Sequence, residues 1–131
     1  MSQRPRFILC FACFLLFFLT VTGWLSGKSN ISHSPGLWSL SPRIAVDSVG
    51  NVHAVWAEYI PNTTNGDAYY SRYDVGTKEW SVPLTLSNKG RVFSEEKRPV
   101  GIAIDGFDNI YVIYVGKNRI SIRIFSGGAW G

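Results

Sequence analysis

Residues 42–56 read PRIAVDSVGNVHAVW, and the same plan returns 58 residues later, where residues 100–114 read VGIAIDGFDNIYVIY. In each copy a β-branched apolar run ends at an aspartate, four small or polar residues follow, and a second apolar run begins after an asparagine. Asp and Asn side chains hydrogen-bond the backbone of such turns and tolerate left-handed conformations. The repeat therefore predicts two β-hairpins. Their turn residues are Asp47, Asn51, Asp105 and Asn109.

The second strand of each hairpin is apolar on both of its faces. In the first copy Val52, Ala54 and Trp56 point to one side of the strand and Val55 points to the other. A strand on a half-exposed sheet would alternate apolar with polar residues, whereas a strand apolar on both faces lies inside a stack of sheets. The pattern therefore predicts stacked sheets.

Each copy continues with two further strands. A third strand is predicted at residues 68–73 and again at 120–125, and a fourth begins at a tryptophan, Trp80 or Trp130. Residues 37–42 are similar to that fourth strand and are predicted to end a preceding unit.

Four-stranded antiparallel units that recur at this spacing are typical of β-propeller blades. The predicted fold is all-β, with about two blades, at 43–87 and 99–131, forming an incomplete propeller within 37–131. A blade hides both faces against its neighbours. Two blades leave sheet faces uncovered, so further blades or other subunits are expected to cover them.

The chain resembles the sialidase-like, or BNR-repeat, β-propeller proteins over most of residues 37–131. The Asp-box of that family has the form Ser-x-Asp-x-Gly-x-x-Trp. Ser71, Asp74, Gly76 and Trp80 resemble it, with one extra residue on each side of the Asp-x-Gly core. The resemblance implies a structural role for this box, in which the aspartate accepts backbone N–H bonds and fastens a turn, as Asx turns do.

Repeated tryptophans usually fill a repeated core, so these residues are predicted to pack between blades. The alternative is that they stack against sugar rings. The tryptophans concerned are Trp38, Trp56, Trp80 and Trp130.

Resemblance to sialidases implies an arginine cluster for a carboxylate, an acid/base carboxylate and a tyrosine nucleophile. Arg43 with the following isoleucine is only a partial match to the family's arginine motif. Asp47 and Asp105 would be neighbours at one end of a propeller, where they either cap their own turns, the favoured interpretation, or act as paired carboxylates. His33 and His53 have no Cys or carboxylate at ligand spacing. No catalytic residue, metal or cofactor is therefore predicted.

The N-terminal residues predict export. Arg4 and Arg6 precede an apolar run, which is the pattern of a secretory signal. Either residues 1–23 are a cleaved signal peptide, or residues 7–25 remain as a helical membrane anchor, since their length is close to the ~20 residues that span a bilayer. In both cases residues 24–36 form a linker and the remainder lies outside the membrane, secreted or anchored.

Charge and cysteine content argue against a disulfide-stabilised protein and against a nucleic-acid-binding protein. Cys10 and Cys13 lie inside the apolar run, so the exported part has no disulfide. Of the 13 Lys and Arg, Arg4 and Arg6 belong to the targeting segment, which leaves 11 against 9 Asp and Glu. No block of like charges occurs, so a nucleic-acid partner is not expected.

Two sequons, at Asn30 and Asn62, are candidate glycosylation sites. The sequence thus favours an exported, non-catalytic propeller segment that binds a glycan or a surface protein. The alternative is the N-terminal part of a sialidase-like glycoside hydrolase.

Overall fold

The structure is a computed structural model that describes residues 30–63, 66–87, 100–116 and 119–131. Within these ranges the chain forms nine β-strands and no helix. None of the described residues belongs to a helix long and apolar enough to cross a membrane. The predicted signal or anchor at residues 1–23 lies outside the described residues. Residues Met1–Asn30 and Ile31–Gly131 make up separate units of the chain, and the nine strands belong to the second unit.

The first sheet contains five antiparallel strands in which neighbours along the chain are neighbours in space. The order is β1-β2-β3-β4, and β5 also pairs with β3. The five strands are β1 Trp38–Val46, β2 Val52–Tyr59, β3 Gly66–Asp74, β4 Glu79–Trp80 and β5 Leu84–Thr85.

The second sheet repeats this arrangement with four antiparallel strands in the order β6-β7-β8-β9. The four strands are β6 Val100–Ile104, β7 Ile110–Gly116, β8 Arg119–Ser126 and β9 Ala129–Trp130. The prediction of an all-β fold with antiparallel sheets is confirmed for the described residues. β-Branched and aromatic residues dominate the long strands because they pack well on a pleated surface.

The first strand differs from the sequence-based division. Residues 37–42 were expected to end a preceding unit, but Trp38–Val46 is a single strand of the first sheet, paired with β2 along its length. A register shift between Leu40 and Arg43 marks a bulge, and Ser41 has a φ of 54° there. The extra residues of the bulge kink the strand without ending its pairing. β2 extends to Tyr59, so its final residues pair with Trp38 and its neighbours.

The two sheets pack face to face around one core. Val55, Ala57 and Ala68 of the first sheet lie against Val100 and Val112 of the second, and all five side chains are buried. Burial of this kind stabilises a sheet pair by roughly 25 cal/mol for each Å² of apolar surface removed from water.

Three polar and aromatic contacts also join the sheets. The rings of Tyr70 and Trp130 meet edge to face with centroids 4.9 Å apart. The Tyr114 hydroxyl donates to the carbonyl oxygen of Leu86 at 3.2 Å. At the turns, the backbone N–H of Ser48 donates to the Asp108 carboxylate at 2.9 Å, which links the first hairpin to the second.

The two outer faces differ. On the first sheet Ala54, Trp56 and Ser71 point away from the second sheet and are nevertheless buried. On this side Ser34, from the segment before β1, donates to Glu58 at 2.7 Å. On the second sheet the outer face is exposed. Sequence reasoning predicted uncovered sheet faces. In the described residues the outer face of the second sheet is exposed, whereas that of the first sheet is buried along β2 but exposed at Ile44 and Val46 of β1.

Candidate functional site

The first turn is held by Asp47. One carboxylate oxygen accepts the backbone N–H groups of Val49 at 3.1 Å and Asn51 at 2.8 Å, and the other accepts the Asn51 side-chain amide at 2.8 Å. Burial alone would raise the pKa of Asp47, but the hydrogen bonds from Asn51 and His53 outweigh it and lower the pKa to about 2. Asn51 in turn accepts the backbone N–H of Val75 at 3.1 Å. Asp47 is therefore an ionised structural group of the turn.

The second turn is built in the same way. One oxygen of Asp105 accepts the backbone N–H groups of Phe107 and Asn109, each at 2.9 Å, and the other accepts the Asn109 side-chain amide at 2.9 Å. The Asn109 side chain is the main cause that lowers the pKa of Asp105. Each of the two carboxylates that could have formed a hydrolytic pair thus hydrogen-bonds to its own turn.

A polar chain that sequence reasoning missed begins at the first turn. His53 Nε2 lies 3.1 Å from the Asp47 carboxylate, and His53 Nδ1 lies 2.7 Å from the Tyr70 hydroxyl. Burial raises the pKa of Tyr70 to about 12, so its phenol is neutral at physiological pH. An activated tyrosine nucleophile needs the opposite shift. The repeat itself could have indicated this contact. Tyr111 occupies the position equivalent to His53, 58 residues later, and its hydroxyl likewise hydrogen-bonds to the turn aspartate, Asp105, at 3.0 Å.

The segment that resembles an Asp-box forms the turn after β3. One oxygen of Asp74 accepts the backbone N–H groups of Gly76 at 2.9 Å and Thr77 at 3.1 Å, and Arg72 pairs with the other oxygen. These bonds, with the one from Thr77 first, lower the pKa of Asp74. Ser71 does not join this turn; it is buried and donates to the carbonyl oxygen of Ser81 at 2.7 Å.

The four predicted packing tryptophans occupy different environments. Trp130 lies between the sheets, where its ring contacts that of Tyr70. Trp56 is buried on the outer face of the first sheet, and Trp80 packs on Tyr73 with ring centroids 5.5 Å apart. Trp38 is 55% exposed. The structure therefore brings one of the four into the interface between the sheets.

An open cleft of about 410 Å³ lies between the outer ends of the two sheets. Aromatic side chains and the Arg72–Asp74 pair share its lining, together with Glu79. Its aromatic residues are Tyr70, Trp80, Phe125 and Trp130. Tyr70 and Phe125 both contact Trp130, so the rings of these three residues line one side of the cleft together.

A buried carboxylate was also missed. Glu58 lies at the end of β2, where its side chain accepts hydrogen bonds from Trp56 Nε1 at 2.8 Å and from Ser34 at 2.7 Å. Its position next to apolar residues in a strand gave no indication of these partners. The two sequon residues, Asn30 and Asn62, are exposed, and Asn62 has a φ of 62° in its turn. In the described ranges no three His, Cys, Asp or Glu side chains cluster as metal ligands would.

The outer face of the second sheet carries a group of exposed apolar side chains. We call it the isoleucine face and define it by Ile113, Ile120, Ile122 and Ile124, whose side chains are 46%, 76%, 54% and 36% exposed. They come together because Ile113 pairs with Ile122 across β7 and β8, while Ile120 and Ile124 lie two residues to either side on the same face. None of the four defining residues is charged. Contiguous apolar patches of this kind mark interaction sites on soluble domains.

Comparison of the chain with protein-family models, with curated proteins and with solved structures found no match.

Proposed function

We propose that this chain is a non-catalytic interaction module, an exported segment of propeller type, that binds a protein partner by stacking a further β-sheet on its isoleucine face. The observation that carries the proposal is the exposure of four isoleucines on one face of a sheet whose opposite face is packed. The propeller assignment is supported by sheets whose strands follow chain order and by the 58-residue repeat. The proposal of export rests on the basic and apolar N-terminal sequence.

The free energy available at this face is substantial. The four exposed fractions together correspond to about two whole isoleucine side chains, and covering them is worth roughly 3–6 kcal/mol. The inner face of the same sheet displays the kind of contact expected, because Val112 there is fully buried against the first sheet. A second sheet on the outer side would repeat that packing, since stacked sheets interdigitate side chains from both faces.

The hydrogen bonds of the candidate catalytic side chains also favour a binding role over a catalytic one. Asp47 and Asp105 hydrogen-bond to their own turns, and the phenol of Tyr70 is neutral and buried. Arg43 donates to the carbonyl oxygen of Pro42 at 2.9 Å. A glycosidase requires two carboxyl groups, or a tyrosine with its base, directed at one bond. These four side chains are instead directed at their own neighbours.

Site-specific photocrosslinking in the expressing cell tests this proposal. A photoreactive amino acid replaces Ile122 on the isoleucine face or, as a matched control, Val82, which is 81% exposed in the connection between β4 and β5. We expect a discrete crosslinked product from position 122 and none of that size from position 82. Adding Ile113→Lys to the position-122 probe should abolish the product, because a charge at the centre of an apolar interface is costly. The same product from both probes, or one insensitive to Ile113→Lys, would contradict a docking role for this face.

A further inference from the structure

The outer edge of β3 in the first sheet is fully occupied. β4 pairs with its last residues and β5 with Tyr69 and Tyr70. Between and beyond these pairs, the N–H of Ser81 donates to the carbonyl oxygen of Arg72, and the N–H of Leu86 donates to that of Ala68, both at 2.8 Å. The segment from β4 to Leu86 therefore satisfies the outward backbone groups of β3.

Among the described residues, the corresponding edge of β8 is paired only at one end. β9 pairs with the last two residues of β8, and the N–H of Gly131 donates to the carbonyl oxygen of Ile124 at 2.8 Å, as Ser81 does in the first sheet. From Arg119 to Arg123 no strand in the described part of the chain pairs with this edge. Ile120 and Ile122 are among the most exposed residues of the strand.

The register of the two sheets identifies the backbone groups of β8 that point outward. Trp80 lies opposite Tyr73 in the first sheet and Trp130 lies opposite Phe125 in the second, so residues of β3 and β8 correspond in order. Counting back along each strand, Ile122 takes the place of Tyr70 and Ile120 takes the place of Ala68. Because backbone groups alternate sides along a strand, the N–H and C=O groups of Ile120 and Ile122 point outward, as does the Ile124 carbonyl.

We propose that the open edge of β8 at Ile120 and Ile122 binds an extended protein segment that adds to the second sheet as an antiparallel strand. An exposed strand edge is a template for such addition, in which main-chain hydrogen bonds give affinity and alternate side chains give specificity. The segment should carry apolar residues at alternate positions, as the Leu-Thr-Leu sequence at 84–86 does on β3. Those apolar side chains would lie on the same side as Ile122 and extend the isoleucine face.

This inference goes beyond the proposed function, because the partner becomes part of the sheet instead of covering its face. The probe is a fluorescent synthetic peptide with the sequence of residues 81–87, SVPLTLS, and its binding to the full chain is measured by anisotropy. A second peptide is N-methylated at the nitrogen equivalent to that of Leu86. We expect the N-methyl peptide to bind at least about tenfold more weakly, since it loses a main-chain donor and clashes with the edge.

Protein variants test the edge from the other side. Ile122→Pro removes an outward N–H, which an edge strand tolerates, whereas Ile122→Val keeps it. We expect Ile122→Val to bind the peptide within about twofold of the wild type and Ile122→Pro to lose at least about tenfold. Circular dichroism establishes that each variant is folded. If Ile122→Pro does not fold, the N-methyl comparison on the wild-type chain decides the matter.

Three results would overturn strand addition at this edge: no binding at millimolar peptide, equal binding of the N-methyl peptide, or a chain that dimerises through β8 and excludes the peptide. Ile113→Lys separates this inference from the proposed function. It places a charge on the isoleucine face but leaves the backbone of β8 unchanged, so peptide affinity should stay within about threefold of the wild type while the photocrosslinked product disappears.

Discussion

Replacing Asp47 by Asn should remove an acid-sensitive part of the stability of the first turn. The carboxylate is 9% exposed and accepts three hydrogen bonds from the turn, with His53 as a further neighbour. Its pKa falls from 3.8 to about 2 on folding, and one pKa unit is worth about 1.36 kcal/mol. The ionised form of Asp47 thus contributes at most about 2 kcal/mol, since solvent screens part of the interaction.

The sign of the pH dependence follows from the direction of the shift. A carboxyl with a lowered folded-state pKa stabilises the protein fully above its unfolded pKa, and this contribution is lost as pH falls through the folded value. The window for Asp47 therefore runs from about pH 5 down to about pH 2. Wild type should exceed Asp47→Asn in free energy of unfolding at pH 7, and the difference should shrink by about 1–2 kcal/mol on acidification.

Urea denaturation followed by tryptophan fluorescence measures this difference at several pH values. Glu79→Gln is the control, because it removes one exposed carboxylate for which the structure shows no hydrogen bond; its effect should stay within about 0.5 kcal/mol. A difference between wild type and Asp47→Asn that stays constant from pH 7 to pH 2.5 would refute the assignment of Asp47 as an ionised anchor of the turn.

Two further predictions concern packing. Val55→Ala should lower the free energy of unfolding by about 2 kcal/mol, since Val55 is fully buried between the sheets, whereas Val82→Ala at the surface should change it by less than about 0.5 kcal/mol; equal effects in urea denaturation would argue against the sheet-to-sheet core. Gly66→Ala should cost about 3 kcal/mol because an added Cβ overlaps the Tyr59 ring, while Gly106→Ala has no atom within 4 Å to meet. Unchanged melting of Gly66→Ala would contradict this close approach.

Short sequence patterns were sufficient to predict the strands on either side of the two Asp–Asn turns. The β-branched runs at Val52 and Ile110, which follow turns bounded by Asp and Asn, predicted the two hairpins where the structure has them. The continuous β1 strand was not predictable, because the bulge depends on a left-handed serine at Ser41, a residue with no preference for that conformation, and on pairing with Tyr59 beyond the predicted end of β2.

The polar contacts inside the structure were not predictable for another reason. His53 meets Tyr70 and Glu58 meets Ser34, and in each case the partner is more than a dozen residues away along the chain. The alternation of side chains along a strand predicts which face a side chain occupies, but it does not predict which residue of another strand or segment will hydrogen-bond to it. By contrast, the strands that are apolar on both faces predicted uncovered sheet faces, and the structure shows four exposed isoleucines together on one of them.

The order of strands in each sheet has a consequence for folding. Every strand of the first sheet pairs with a strand adjacent to it in sequence, apart from the short β5, which reaches back to β3. Pairing between strands that are adjacent in sequence closes only short loops, which keeps the entropic cost of forming each pair small. The first sheet is complete by Thr85, so its strand pairing involves no residue from Val100 onward.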